Sequence, residues 1–176
     1  MSKHHINNVR VAGFAAGVPE ESIETRDCGH FSSQEDYQDF IEKVGIERRR
    51  VLPAGMTSSD LCIQAADQLI AELGWCKEEI GLLVFCSQYP DYPLPATSCI
   101  LQGRMGLNES TMCLDISSGC SGWVIGLSTA AALVQSGAAA KALLLVGDAN
   151  PYLSSSSDKS HAPLFGPSGT ATAIEY

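Results

Sequence analysis

The chain has 176 residues, 45% of them apolar and few aromatic, with a formal net charge of -9. That length suits one domain with a real core, and the acid excess argues against nucleic acid or an anionic membrane surface as a partner. No apolar run is long enough to cross a bilayer, and Met1-Ser2-Lys3-His4-His5 leads into no apolar signal segment.

Asn8 to Ala16 alternates, with Val9, Val11 and Phe14, and predicts a first strand ending in the Gly17-Val18-Pro19 turn. Ser32 and Ser33 precede Gln34-Glu35-Asp36, the pattern of a helix N-cap with acids in the first turn, and Gly45 is the stop for a helix to about Val44. Arg48-Arg49-Arg50-Val51-Leu52 reads as a short extended segment, and such a charge run is usually solvated or salt-bridged. Thr57, Ser58 or Ser59 caps the next helix. There Leu61, Ala65, Leu69 and Leu73 recur every fourth residue, and Gly74 ends it. Ile80 to Cys86 is a near-continuous apolar run, as in a strand buried on both faces. Pro90, Pro93 and Pro95 exclude regular structure until a helix from about Ala96 to Met105.

Met112 to Ile116 predicts another buried strand, and an Ala- and Leu-rich helix opens near Cys120 and runs to Ser136. Ala142 to Gly147 is a third buried strand, Ser154 to Ser160 a polar surface loop, and Thr170 to Tyr176 a last strand. Strands alternating with helices imply βαβ crossovers and a largely parallel sheet covered on both sides. In such sheets the site lies beyond the carboxyl ends of the strands. No G-x-G-x-x-G or P-loop pattern supports nucleotide binding.

The seven cysteines include no C-x-x-C pair, which argues against a zinc site or a thioredoxin-type redox motif. With no export signal the thiols are expected free, in a reducing, cytoplasmic compartment, and most of them as packing residues. Of the four histidines, His4 and His5 fall in a terminus expected to fray, and His30 in a polar stretch. His161 follows the serine-rich loop, where a lone histidine is more often structural or solvated.

Cys120 differs from the other six. It stands in Ser117-Ser118-Gly119-Cys120-Ser121-Gly122-Trp123, between an apolar strand and a helix. At a helix start, free N–H groups and the positive dipole end favour thiolate, the nucleophilic form. Gly119 and Gly122 would leave room for a substrate chain. The plain alternative is a small buried hydrophobe, and the spacing alone does not decide between them.

Four segments, in order, carry a family resemblance. Ser118-Gly119-Cys120-Ser121-Gly122-Trp123 resembles the nucleophile motif of β-ketoacyl-acyl-carrier-protein synthase III, a thiolase-fold condensing enzyme. Gly45 to Arg50, Pro90 to Cys99 and Phe165 to Ala171 resemble its Gly-Ile-x-x-Arg-Arg, proline-rich and Phe-Gly-Asp-Gly-Ala-Gly-Ala segments, the last with substitutions. The resemblance implies a thiolase-like α/β fold, one βαβαβαββ-type half with a mixed, mostly parallel sheet, as a single N-terminal domain over residues 1–176.

It further implies an acyltransferase of fatty-acid biosynthesis. Cys120 takes an acyl group from an acyl-CoA or acyl-ACP thioester. Malonyl-ACP then loses carbon dioxide, and its carbanion attacks the acyl-cysteine. The Cys120 N–H would be one oxyanion donor. Leu94 falls at a position that reaches a partner's acyl pocket across a homodimer, and Phe165 at a pocket-lining position. Lys43 and Lys159 replace arginines on the adenine side, and Asp39 stands where a stacking tryptophan is found. A lysine holds phosphate as a point charge without the flat guanidinium face, so carrier-protein donors are as plausible as coenzyme A esters. No cofactor is implied; coenzyme A or phosphopantetheine thioesters are substrates.

The family's catalytic histidine and asparagine lie in a second half with no counterpart here, and His161 does not match that histidine. The chain alone is therefore expected not to condense. Its departures point to a specialised branch, in secondary metabolism or surface-polysaccharide assembly. The rival readings are a non-catalytic half-domain that associates with itself or a partner subunit, and a thiolase or hydroxymethylglutaryl-type enzyme.

Overall fold

The computed structural model describes residues 3–29, 31–149 and 164–176. In chain order the elements are β1 (Arg10–Gly17), β2 (Ser22–Glu24), α1 (Gln34–Val44), β3 (Arg48–Arg50), α2 (Ser58–Leu73), β4 (Ile80–Cys86), α3 (Thr97–Met105), β5 (Met112–Ile116), α4 (Gly122–Gln135), β6 (Lys141–Asp148) and β7 (Ser168–Glu175). Single 3-10 turns occur at Thr25–Cys28 and Lys77–Glu79. The described residues form two compact units. The larger holds residues up to Gly17, Thr57–Asp148 and Ser168–Tyr176; the smaller holds Val18–Met56 with 149 and 164–167.

The larger unit is built on a five-stranded sheet in the order β1-β7-β6-β4-β5. β4 pairs in parallel with both β5 and β6, while β7 is antiparallel to both β6 and β1. Four strands thus run one way and β7 opposes them, which gives the mixed sheet the sequence led one to expect. The apolar run of β4 puts it in the centre: it must bury both faces, and only an interior strand does so. Alternation then sorts its side chains. Leu83 and Phe85 join a cluster with Leu69 of α2 and Leu101 of α3, whereas Leu82, Val84 and Cys86 pack on the other face with Ala130 and Val134 of α4.

The four-residue repeat of Leu61, Ala65 and Leu69 is the buried stripe of α2, as its spacing predicts. The Asp60 carboxylate reaches back to the Thr57 N–H at 2.8 Å, satisfying one of the orphan donors of the first turn. Gly74 closes the helix with φ +63°, a left-handed conformation that costs a glycine little. On the opposite face α4 approaches the sheet through glycines. A Cβ at Gly122 would lie 2.6 Å from Cys86 Sγ, and one at Gly126 2.6 Å from Leu144 Cδ1. Gly122 therefore brings the helix onto the sheet; its missing side chain does not open a substrate path, contrary to the expectation from sequence. The helix also begins at Gly122, two residues after Cys120, because the segment before it is spent in a tight turn in which the Gly122 N–H donates to the Gly119 carbonyl at 2.7 Å.

The N-terminal segment is not frayed as far as His4. Its ring nitrogen is 2.7 Å from Ser128 Oγ, and the Asn7 N–H donates to Gln135 Oε1, so α4 supplies the partners that hold it.

In the smaller unit, Ser33 caps α1 by accepting the Asp36 N–H at 3.1 Å, and Gly45 ends it in the left-handed region. β2 and β3 pair antiparallel, with Glu24 opposite Arg48. The arginine triplet is held by backbone and sulfur acceptors as well as by ion pairing: Arg50 donates to the Pro19 and Glu20 carbonyls, and Arg49 Nε donates to Cys28 Sγ at 3.4 Å. β2 is too short to leave a period in the sequence. Its partner is supplied by β3, across α1. Among the described residues no helix is long and apolar enough to cross a membrane.

Candidate active site

The chain leaves β4 through α3 to reach β5 on one side, then returns through α4 to β6 on the other. That reversal around β4 leaves the crevice of an open α/β sheet at the carboxyl ends of the parallel strands. Cys120 follows the carboxyl end of β5 by four residues and precedes α4 by two, with its side chain exposed. Among the described residues no acceptor takes the Cys120 N–H.

Four side chains from neighbouring strand ends hold this corner. The Asp148 carboxylate, at the end of β6, accepts from the Ser87 hydroxyl at 2.7 Å and from the Gln88 N–H at 2.8 Å. Gln88 lies against Gly119: a Cβ there would sit 2.7 Å from the Gln88 Oε1. The Cys86 thiol donates to the Ser118 carbonyl at 3.7 Å. One strand further out, the Asp115 carboxylate takes the Thr97 and Ser98 N–H groups at 2.7 and 2.8 Å, so β5 supplies the N-terminal cap of α3.

The cysteines separate by environment. Burial pushes the Cys62 thiol up to about 12. Burial, and next the Asp148 charge, raise Cys86. Cys113 is pushed up to about 11 by burial and then by Cys99 beside it. These three are poor nucleophiles near neutral pH. Cys76, Cys99 and Cys120 are exposed, and the other four of the seven are buried or half-buried.

The other sequence-derived positions lie as follows. Leu94, in the proline-rich loop before α3, is 85% exposed. Lys43, in the last turn of α1, and Phe165 are exposed and belong to the smaller unit. Lys159, His30, His161 and the Ser154–Ser160 loop lie outside the described residues. Sequence reasoning missed Asp115, Asp148 and Gln88. For the two aspartates a signal was present, since a carboxylate within or ending an apolar strand must find donors.

A mixed sheet flanked by helices on both faces, with a reachable thiol past its parallel strands, defines a thiolase-like α/β protein. The 3-oxoacyl-[acyl-carrier-protein] synthase III family profile matches residues 114–176, which include Cys120. The β-ketoacyl-[acyl-carrier-protein] synthase III of Rhodopirellula baltica is 31% identical over 97% of this chain and 48% of its own length, and that of Enterococcus faecalis 32% over 96% and 52%. A crystal structure of a 3-oxoacyl-(acyl-carrier protein) synthase from Burkholderia xenovorans superposes with a TM-score of 0.92 at 37% identity, covering 97% of this chain and 49% of that one. The chain is similar to the 3-oxoacyl-[acyl-carrier-protein] synthase III family in sequence and in fold, and it spans about half the length of the relatives it matches.

Proposed function

We propose that Cys120 is the acyl-accepting nucleophile of a decarboxylative condensing enzyme of which this chain carries the nucleophile half. The observation that carries this reading is an exposed thiol at the turn into α4, within the stretch matched by the family profile, while three of the other thiols are disfavoured as nucleophiles. Its sulfur attacks the carbonyl of an acyl-CoA or acyl-ACP thioester. The oxyanion that forms is met by the Cys120 N–H, and collapse expels the carrier thiol. Malonyl-ACP loses carbon dioxide, its carbanion attacks the acyl-cysteine, and the cysteine sulfur leaves.

By the family resemblance Leu94 and Phe165 line acyl pockets, Leu94 across a homodimer, and Lys43 and Lys159 hold phosphate of the donor. The condensation step needs the histidine and asparagine of a second half, so acyl transfer to the sulfur is the step this chain can be asked to perform. Incubated with a short acyl-CoA or an acyl-ACP, the protein gains one acyl mass on the peptide containing Cys120, and Cys120→Ala gains none. An adduct on another cysteine, or no adduct from either donor, overturns the assignment.

A second reading, association of a non-catalytic half-domain with itself or a partner subunit, is favoured by the exposed apolar side chains of α4: Val124 is 62% exposed and Ile125 44% exposed. Light scattering separates the two readings, because a strict monomer that acylates at Cys120 supports only the first.

A further inference from the structure

We propose that Cys99 and Cys113 form a reversible intramolecular disulfide when the protein meets a hydroperoxide. The first turn of α3 is fixed on β5 because both oxygens of Asp115 take N–H groups from it, at Thr97 and Ser98. Cys99 is the next residue of that turn. Cys113 is two residues before Asp115 on β5, so both side chains leave the strand on the same face, and Cys113 packs against the cluster that includes α3. The two residues are neighbours across the contact of α3 with β5, and each thiol feels the other, while the Cys113 thiol donates to the Thr111 carbonyl at 3.5 Å. Thirteen residues separate them (100–112), a short loop for a cross-link to close.

The pair divides the chemistry. Cys99 is exposed and Cys113 half-buried. Burial and the neighbouring Cys99 push the Cys113 thiol up to about 11, so it is not the group an oxidant meets first. The hydroperoxide takes two electrons from the Cys99 sulfur: its O–O bond breaks, one oxygen becomes Cys99 sulfenic acid, and the other leaves as an alcohol or water. The Cys113 sulfur then attacks the Cys99 sulfur, its small thiolate fraction offset by its being held next to its target. The S–S bond forms as the S–O bond breaks, and the Cys113 proton leaves with the hydroxyl as a second water. A dithiol such as dithiothreitol reverses it by exchange.

The test is peroxide treatment of the chain, quenching of remaining thiols with iodoacetamide, and non-reducing peptide mass spectrometry. The expected result is a peptide linking Cys99 to Cys113, lighter than the sum of its parts by two hydrogens and lost on dithiothreitol treatment. The cross-linked protein melts higher by roughly 5–10 °C. Cys113→Ala leaves Cys99 sulfenic acid trappable by dimedone, at several times the wild-type yield. The proposal is overturned if wild type accumulates Cys99 sulfinic acid or intermolecular dimers with no linked peptide. Equal dimedone yield from wild type and Cys113→Ala also overturns it.

Discussion

The two faces of the central sheet are covered in opposite ways. The face under α2 and α3 is filled by long side chains, Leu69, Phe85, Leu101, Leu143 and Leu145, and by two helices. The face under α4 is covered mainly by one helix, which comes close through Gly122, Gly126 and Ala130 and turns Val124 and Ile125 outward, while the Trp123 indole N–H donates to Thr172 of β7 at 3.1 Å. A helix apolar on all sides belongs in an interior. The first face is complete within this chain, whereas α4 is shaped for contact on both its sides, and Cys120 stands at its opening.

That contrast can be broken from either side. The largest loss is expected from Phe85→Ala, which empties the filled face and lowers unfolding stability by about 3–5 kcal/mol in urea titration. Gly126→Val attacks the close face: the new side chain meets Leu144, and the cost is about 1–3 kcal/mol in the same titration. Asp115→Ala removes the cap that β5 gives α3 and costs about 1–2 kcal/mol, with faster amide exchange at Thr97 and Ser98.

Val124→Ser touches only the outward side of α4, so stability should move by less than about 0.5 kcal/mol while binding of an apolar dye falls. If Val124→Ser destabilised as much as Gly126→Val, the two sides of the helix would not differ as described.

The smallest effect is a pH dependence on the α2 side. Burial opposes ionisation of Asp60, but the Thr57 N–H and the Arg104 guanidinium outweigh it and hold the carboxyl below its usual value. A depressed folded-state value means the contribution is present above the unfolded value, about 3.9. It is lost as pH falls through the folded one. The stability gap between wild type and Asp60→Asn should therefore be seen at pH 6 and close on acidification below about pH 4.

Much of this was legible along the chain, and the reason is local. α1, α2 and β4 announced themselves through caps, glycine stops and runs whose cause lies within a few residues; β5 did so in its bounds, but as the sheet's edge strand it is half-buried at most and not the buried strand its sequence predicts. The pairing of β1 with β7 at the far end of the chain left no local trace, nor did the pairing of β2 with β3 across α1. At the site, the position of Cys120 between a strand and a helix was legible from the run of small residues around it. Gln88 left no signal, and the donors that Asp148 must find could not be named, because residues 88, 119 and 148 are brought together only by the sheet. Gly122 was misread for the same reason: its neighbour, Cys86, is on another strand.

The Gln88 side chain fills the space that a side chain at residue 119 would need, one residue before the sulfur. Selectivity of a covalent inhibitor can be written there. A warhead whose substituent hydrogen-bonds the Gln88 amide would distinguish this thiol from Cys76 and Cys99, which are also exposed. Shortening that glutamine would give resistance to the drug while leaving the sulfur untouched.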